Sequence, residues 1–253
     1  MREIRVFIDL PLASGQRLQL PASAARHVVR VLRLRTGSPL TLFNGEGGEF
    51  ASLITRAQGE KVEVDIGAHH SIDRESTRPL LLLQGVARGE RMDLIVQKTT
   101  ELGVTHILPV RCYRSVVQLE NDRAQKRREH WRSVAIAACE QCGRNRLPVI
   151  EPVQSLSDAL ASLQTQAHGS ASLRGLLDPD ATQGPAEWLR SSTPSTAAVA
   201  LLIGPEGGLE ADEIALARHH GFLGIRLGPR ILRTETAALA ALAAIQSLAG
   251  DYS

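Results

Sequence analysis

The sequence Leu227-Gly228-Pro229-Arg230-Ile231-Leu232-Arg233-Thr234-Glu235-Thr236-Ala237 decides the fold of this chain. It begins as an apolar strand pattern that Gly228 and Pro229 break, and it leads into an alanine-rich run over residues 237–248 that predicts a closely packed helix. Thr234 is a candidate N-cap for that helix. The stretch therefore predicts a strand, an irregular loop and a last helix, and we expect the loop to line an active site.

A second glycine-containing loop lies upstream. The segment Gly204-Pro205-Glu206-Gly207-Gly208 follows an apolar strand pattern over residues 197–203. Taken alone it is most typical of a tight turn, although its glycines would also let a ligand approach the main chain closely. It lacks the Lys-Ser/Thr pair of a P-loop, and no G-x-G-x-x-G follows a strand, so neither nucleotide hydrolysis nor dinucleotide binding is predicted.

Beyond residue 73, strand patterns alternate with helix patterns, which predicts an α/β fold with a mostly parallel sheet covered on both faces. Small polar residues over 166–171 and 185–196 indicate surface connections. In open parallel sheets ligands bind beyond the carboxyl ends of the strands, and both glycine-containing loops follow such ends. We therefore expect residues 73–253 to form one domain in which the two loops lie side by side.

The first part of the chain, residues 1–72, carries a different pattern. Short alternating segments around residues 4–8, 40–53 and 62–66 are typical of strands in a small β-barrel. One helix is predicted over residues 22–34. These residues are therefore expected to form a separate N-terminal domain.

The composition is typical of a soluble globular protein, with 43% hydrophobic and 22% charged residues in 253, and the features below predict a cytoplasmic location. No apolar run approaches the ~20 residues of a membrane span, and the N-terminus lacks the apolar core of a signal peptide. Cys112, Cys139 and Cys142 are too few for a disulfide framework. No His/Cys array or G-x-S-x-G segment is present, so we expect no metal and no serine hydrolase.

The positive charge is concentrated in the centre of the chain. Residues 72–146 carry fourteen basic and nine acidic side chains, whereas residues 147–253 carry six and eleven. A polyanionic partner is therefore expected across the centre and the first domain. Arg26, Arg30 and Arg33 share one face of the predicted helix, a pattern that fits contact with nucleic acid as well as it fits a solvated surface.

Four motifs occur in a specific order: Glu101-Leu102-Gly103, Arg144-x-Arg146-x-Pro148 and the two glycine-containing loops. Together with the segment 26–37 they resemble the RsmE family of 16S ribosomal RNA uracil-N3 methyltransferases, which belongs to the SPOUT superfamily. The resemblance implies a PUA-like RNA-binding barrel over 1–72 and a SPOUT domain over 73–253 with a C-terminal trefoil knot. It also implies a homodimer that uses S-adenosylmethionine to methylate 16S ribosomal RNA in the small ribosomal subunit.

The resemblance further implies roles for individual residues. Arg233 would stabilise negative charge on the uracil oxygens, and Glu206 or Glu101 would accept the N3 proton or instead hold main-chain amides or an arginine. Phosphate contacts would come from Arg26, Arg30, Arg33, Arg144 and Arg146. Cofactor-binding residues would be Leu177, Ile203, Gly204, Pro205, Glu206, Gly207, Gly208, Leu227, Gly228, Ile231, Leu232, Thr234 and Ala237.

Two other functions remain open from the sequence. A SPOUT methyltransferase acting on transfer RNA or on another ribosomal position would carry the same motifs. A non-catalytic RNA-binding assembly factor would keep the barrel and use the α/β domain as a scaffold, although the intact glycine-containing loops argue against it.

Overall fold

The computed structural model of this protein describes residues 4–59, 61–115, 121–165, 173–191 and 198–252. The chain divides into two compact units. The first comprises residues 1–75 together with 136–147, and the second comprises residues 76–135 together with 148–253. The connection expected over 166–171 falls outside the described residues, as do residues 192–197.

The first unit is built on a five-stranded sheet in the order β1-β3-β4-β5-β2. Neighbouring strands are antiparallel except for β1 and β3. Buried side chains alternate with exposed ones along β5, where Val62, Val64 and Ile66 face the core. The small N-terminal β domain expected from the sequence is therefore confirmed. Its strands are β1 (Arg5–Phe7), β2 (Arg17–Gln19), β3 (Pro39–Phe43), β4 (Glu49–Gln58) and β5 (Lys61–His70).

The predicted helix over residues 22–34 is wrong in its length and winding. An α-helix, α1, covers only Ala22–Arg26, and the chain continues as a π-helical turn over His27–Val31. The amide of Leu32 donates to the carbonyl of His27, a bond that spans five residues and widens the turn. Arg33 then adopts a left-handed backbone with φ 55°. The three arginines consequently do not share one α-helical face.

The second unit is a seven-stranded sheet in which every pair of neighbouring strands is parallel. The order is β12-β10-β11-β6-β7-β8, and β9 also pairs with β7. Its strands are β6 (Leu80–Gly85), β7 (His106–Arg111), β8 (Val149–Ile150), β9 (Gln154–Ser155), β10 (Leu173–Leu177), β11 (Val199–Ile203) and β12 (Leu223–Ile225). The helices are α2 (Glu90–Glu101), α3 (Asn121–Cys142), α4 (Leu156–Thr165), α5 (Pro185–Arg190), α6 (Ala211–His219) and α7 (Thr234–Ala249). The last part of α3, from residue 136, belongs to the first unit.

Helices cover both faces of this sheet. Leu80 and Leu82 of β6 belong to one hydrophobic cluster, and Leu81 and Leu83 belong to another, because successive side chains of a strand point to opposite faces. The central strand β11 is buried along its whole length. The α/β class and the parallel sheet covered on both faces are therefore confirmed. Among the described residues, no helix is both long enough and apolar enough to cross a membrane.

Helix α5 differs from the sequence prediction, which assigns residues 185–196 to a polar surface connection. The helix carries Trp188, which is fully buried. Gly175 in β10 makes room for this ring, since a Cβ there would lie 2.8 Å from Trp188 Cζ2 and 2.3 Å from Ile225 Cδ1. The buried Trp188, together with Pro185 at the start of the helix and the partly buried Leu189, thus fixes a helix in a polar stretch.

Candidate active site

A cleft of about 710 Å³ lies at the carboxyl ends of β10, β11 and β12. Because these strands are parallel and adjacent, the loops that follow them meet at one edge of the sheet. All of the residues predicted to bind the cofactor line this cleft, from Leu177 to Ala237. Its volume falls within the ~300–1,000 Å³ of typical small-molecule sites. The structure thus brings the two glycine-containing loops together.

The first loop is a turn packed closely against β6. The amide of Gly208 donates to the carbonyl of Pro205 at 2.9 Å, and Gly208 has φ 75°. Gly85 ends β6 directly beneath this loop, where a Cβ would lie 2.4 Å from the nitrogen of Pro205. Only glycine fits that approach, so the position of the loop depends on a residue in another strand.

Thr234 joins the two loops. Its hydroxyl donates to the carbonyl of Gly204 at 2.7 Å and accepts a hydrogen bond from the side-chain amide of Gln84 at 2.9 Å. The prediction that Thr234 caps helix α7 is therefore wrong. Arg233 is the N-cap and makes no side-chain capping bond, while Thr234 is the first helical residue. The hydroxyl is occupied by a tertiary contact that local sequence does not reveal.

Glu206 holds two groups from the start of helix α2. Its Oε1 accepts hydrogen bonds from the amide of Arg88 and from Nη1 of Arg91, both at 2.9 Å. Burial alone would raise the pKa of Glu206, but these donors favour the carboxylate and hold the pKa below its ordinary value. The geometry favours the holding role over proton acceptance, because a carboxylate with a lowered pKa and an occupied oxygen is a weak base.

Glu101, the other predicted proton acceptor, does not line the cleft. It lies at the end of α2 and pairs with Nζ of Lys98 at 2.9 Å. A side chain outside the cleft cannot take a proton from a base bound inside it. The suggestion that Glu101 accepts the N3 proton is therefore corrected.

Arg233 lines the cleft and is exposed. Across the described residues, no carboxylate forms an ion pair with it, in contrast to Arg91, which pairs with Glu206. An arginine without an acidic partner keeps its donors for an anionic or carbonyl group of a ligand. Arg230 is likewise exposed in the same loop, so two guanidinium groups lie at the cleft.

The floor of the cleft combines apolar side chains with accessible main-chain groups. Leu177, Ile203 and Leu227 line it, and Ile231 is 86% exposed at its edge. Within the described part of the chain, the amides and carbonyls of Leu227 and Leu232 have no hydrogen-bond partner. Such groups can recognise an adenine ring, whose edge carries both donors and acceptors.

Sequence reasoning missed several polar residues of the cleft. Asp178 directly follows β10 and is 8% exposed, and its Oδ2 accepts from Arg218 Nη2 at 3.1 Å. Arg114 follows β7 and donates to the carbonyl of Gly207 and to Glu210. Their position just after strand ends was the available signal, because that edge of a parallel sheet carries the site.

The predicted phosphate contacts lie in the first unit, and one of them is corrected. Arg144 is 3% exposed, and its guanidinium donates to Glu75 at 3.0 and 2.5 Å. A buried arginine engaged by a carboxylate cannot reach a phosphate. The other four residues, Arg26, Arg30, Arg33 and Arg146, are exposed.

Buried polar residues surround Arg144. Glu49 is 3% exposed and accepts from Asn145, Arg74 and Arg5. Arg5 also donates to Asn145 Oδ1 at 2.5 Å. Residues 144–145 therefore fasten the segment 136–147 to the N-terminal strands of the same unit. In the regions the structure describes, no group of three or more His, Cys, Asp or Glu could hold a metal ion.

Comparison with known proteins shows that this chain belongs to a known family. Residues 74–246 match the model of an RNA methyltransferase domain, and residues 20–67 match that of an RNA methyltransferase PUA domain. Ribosomal RNA small subunit methyltransferase E of Bacillus subtilis is 30% identical, covering 95% of both chains. The protein of that name from Buchnera aphidicola subsp. Schizaphis graminum is 32% identical, covering 98% of both.

Two solved structures are similar to this chain over nearly its whole length. A ribosomal RNA small subunit methyltransferase E from Neisseria gonorrhoeae, bound to S-adenosylmethionine, is 36% identical with a TM-score of 0.90 and covers 100% of both chains. A Legionella pneumophila protein, also solved with S-adenosylmethionine as its bound cofactor, is 38% identical with a TM-score of 0.90, covering 99% of this chain and 100% of that one.

Proposed function

Because this chain belongs to the ribosomal RNA small subunit methyltransferase E family, we propose that it transfers a methyl group from S-adenosylmethionine to N3 of a uridine in 16S ribosomal RNA. The observation that carries the proposal is the cleft at the carboxyl ends of β10, β11 and β12, which both glycine-containing loops line. Relatives with the same fold hold S-adenosylmethionine.

The cleft suits this cofactor by its chemistry. Its volume is sufficient, its floor is apolar at Leu177, Ile203 and Leu227, and the main-chain groups of Leu227 and Leu232 are available to an adenine. The glycines of the first loop allow close approach of a ligand to the backbone. Asp178 adds a carboxylate at the wall of the cleft.

Bound S-adenosylmethionine supplies an electrophilic methyl group. The chain's own residues then have to bring N3 of the uracil to that group and favour its anionic form, because N3 of neutral uracil carries a proton. Arg233 donates hydrogen bonds toward the uracil oxygens, on which negative charge develops as this proton passes to solvent water. Alignment of the two reactants contributes much of the remaining rate.

Glu206 acts in this scheme as a holding group. By binding the amide of Arg88 and the guanidinium of Arg91, it fixes the loop between β6 and α2 against the cofactor loop. N3 lies on the Watson–Crick edge of uracil, so the target base has to be unpaired or flipped out when it reacts. The exposed arginines Arg26, Arg30, Arg33 and Arg146 contact phosphates of the RNA.

The proposal extends to the partners of the protein. The substrate is 16S ribosomal RNA within the small ribosomal subunit, in the cytoplasm, and the protein acts as a homodimer.

Methyl transfer from labelled S-adenosylmethionine to small subunits that lack the modification tests this function. The wild type should methylate them, and Arg233→Ala should lower the rate constant by on the order of 10²-fold, the usual loss when one preorganised donor is removed. Arg190→Ala is the matched control and should keep the wild-type rate, because it removes an exposed arginine that does not line the cleft. Equal rates for Arg233→Ala and the wild type would contradict the role of Arg233, and no transfer by the wild type would contradict the function.

A further inference from the structure

We propose that Gln84 is a positioning residue for methyl transfer, which acts through Thr234 to hold the two glycine-containing loops in register. The inference rests on the proposed function. Gln84 lies near the end of β6, in neither of the two loops, and it is fully buried. It makes no contact with a ligand in this scheme, so its effect has to pass through the residues that it binds.

The direction of each hydrogen bond in this chain of contacts is fixed by chemistry. A threonine hydroxyl has one proton, and Thr234 donates it to the carbonyl of Gly204 at 2.7 Å. The hydroxyl oxygen can then only accept, and Gln84 Nε2 donates to it at 2.9 Å. The second proton of Nε2 goes to the carbonyl of Gly85 at 3.0 Å. Both donors of the Gln84 amide nitrogen are therefore used.

These bonds connect the two halves of the cleft. Gly204 is the first residue after β11 and begins one loop, whereas Thr234 ends the other loop as the first residue of α7. The bond between them sets the distance from one loop to the other. Gln84 connects the two loops to a third element, because it binds Thr234 and lies in β6, the strand next to β11.

The side-chain carbonyl oxygen of Gln84 indicates that stability alone does not explain a glutamine at this position. Its Oε1 is buried and has no hydrogen-bond partner among the described residues. An unsatisfied buried carbonyl oxygen is unfavourable, and an apolar side chain of the same length would avoid it. The donor function toward Thr234 accounts for a glutamine at this position.

Gln246 offers a matched comparison in the same unit. It is also a fully buried glutamine, and its Nε2 donates to the carbonyl of Leu102 at 2.8 Å. It lies near the C-terminal end of α7 and does not line the cleft. Its Oε1, unlike that of Gln84, also accepts hydrogen bonds, from the hydroxyl of Ser76 and the amide of Asp251. Gln246→Met therefore removes a buried glutamine amide without touching the link between the loops.

The test measures the affinity for S-adenosylmethionine by calorimetry and the thermal unfolding of each variant. Gln84→Met and Thr234→Val should each weaken cofactor binding by on the order of 10-fold, the loss expected when a buried partner is left unpaired. The double variant should bind no more weakly than the weaker single variant, because both changes break one chain of contacts. Thr234→Ser keeps the hydroxyl and should bind like the wild type.

Gln246→Met should lower the unfolding temperature without changing the affinity. Wild-type affinity in Gln84→Met would overturn the inference, whatever Thr234→Val shows, as would an equal loss in Gln246→Met. Failure of the wild type to bind S-adenosylmethionine would instead overturn the proposed function. If Thr234→Val does not fold, Gln84→Met against Gln246→Met decides alone, because methionine has nearly the length of glutamine.

Discussion

Replacing Gly85 by alanine tests whether the cofactor loop depends on β6. The added Cβ would lie 2.4 Å from the nitrogen of Pro205 and 2.8 Å from the carbonyl carbon of Gly204. Both are main-chain atoms that cannot rotate away, and ordinary van der Waals contact begins near 3.4 Å. The loop therefore has to move by about 1 Å, and overpacking of this kind costs about 1–3 kcal/mol of folding free energy.

The effect on methyl transfer should exceed the effect on stability, because a misplacement of about 1 Å at a reacting group can cost on the order of 10²-fold in rate. Rates and unfolding temperatures are measured for Gly85→Ala and for Gly184→Ala. Gly184 is the control, since a Cβ there meets nothing within 4 Å and its φ is −93°. Wild-type transfer by Gly85→Ala would refute the reasoning that β6 sets the position of the loop.

Three further predictions concern the charged residues. The pKa of Glu49 lies below its ordinary value because, although burial opposes ionisation, hydrogen bonds from Arg5 and Asn145 favour the carboxylate. Its stabilising contribution is therefore present above the unfolded pKa and is lost as the pH falls through the folded pKa. Thermal unfolding followed from about pH 7 to about pH 3 should show a larger loss of stability in the wild type than in Glu49→Gln. Arg144→Ala should cost about 3 kcal/mol in denaturant unfolding, the lower end for a broken buried pair, because it takes the buried guanidinium from Glu75, whose side chain is 13% exposed. Arg146→Ala should change stability by less than about 0.5 kcal/mol and weaken RNA binding in a filter assay. A stable Arg144→Ala that binds RNA poorly would reverse these two assignments. Glu206→Gln should lower the rate of methyl transfer while keeping the inflection of the wild-type pH–rate profile; disappearance of that inflection would identify Glu206 as the base.

Much of the fold follows from local patterns. The alternation in β5 and the apolar run of β11 predict their strands, because burial on one or both faces determines which side chains each position accepts. The two glycine-containing loops could be predicted as neighbours, since parallel strands place their carboxyl ends at one edge. The trefoil knot implied by the resemblance stays a prediction.

The remaining features depend on contacts between residues that are far apart in the sequence. Arg144 is buried because Glu75, 69 positions away, neutralises it. The Thr234 hydroxyl donates to the carbonyl of Gly204 and accepts a hydrogen bond from Gln84, so it does not cap the amides of the helix. Local propensity describes what each of these residues can do, but the tertiary partner decides which of those possibilities occurs.

The most direct test of the account is to map the methyl group that the enzyme adds. Small subunits lacking the modification are incubated with the wild-type protein and S-adenosylmethionine, and the 16S ribosomal RNA is digested and analysed by mass spectrometry. The account predicts one new methyl group, on N3 of a single uridine, and none with S-adenosylmethionine omitted. A methyl group on a ribose, on another base or only on transfer RNA would contradict it.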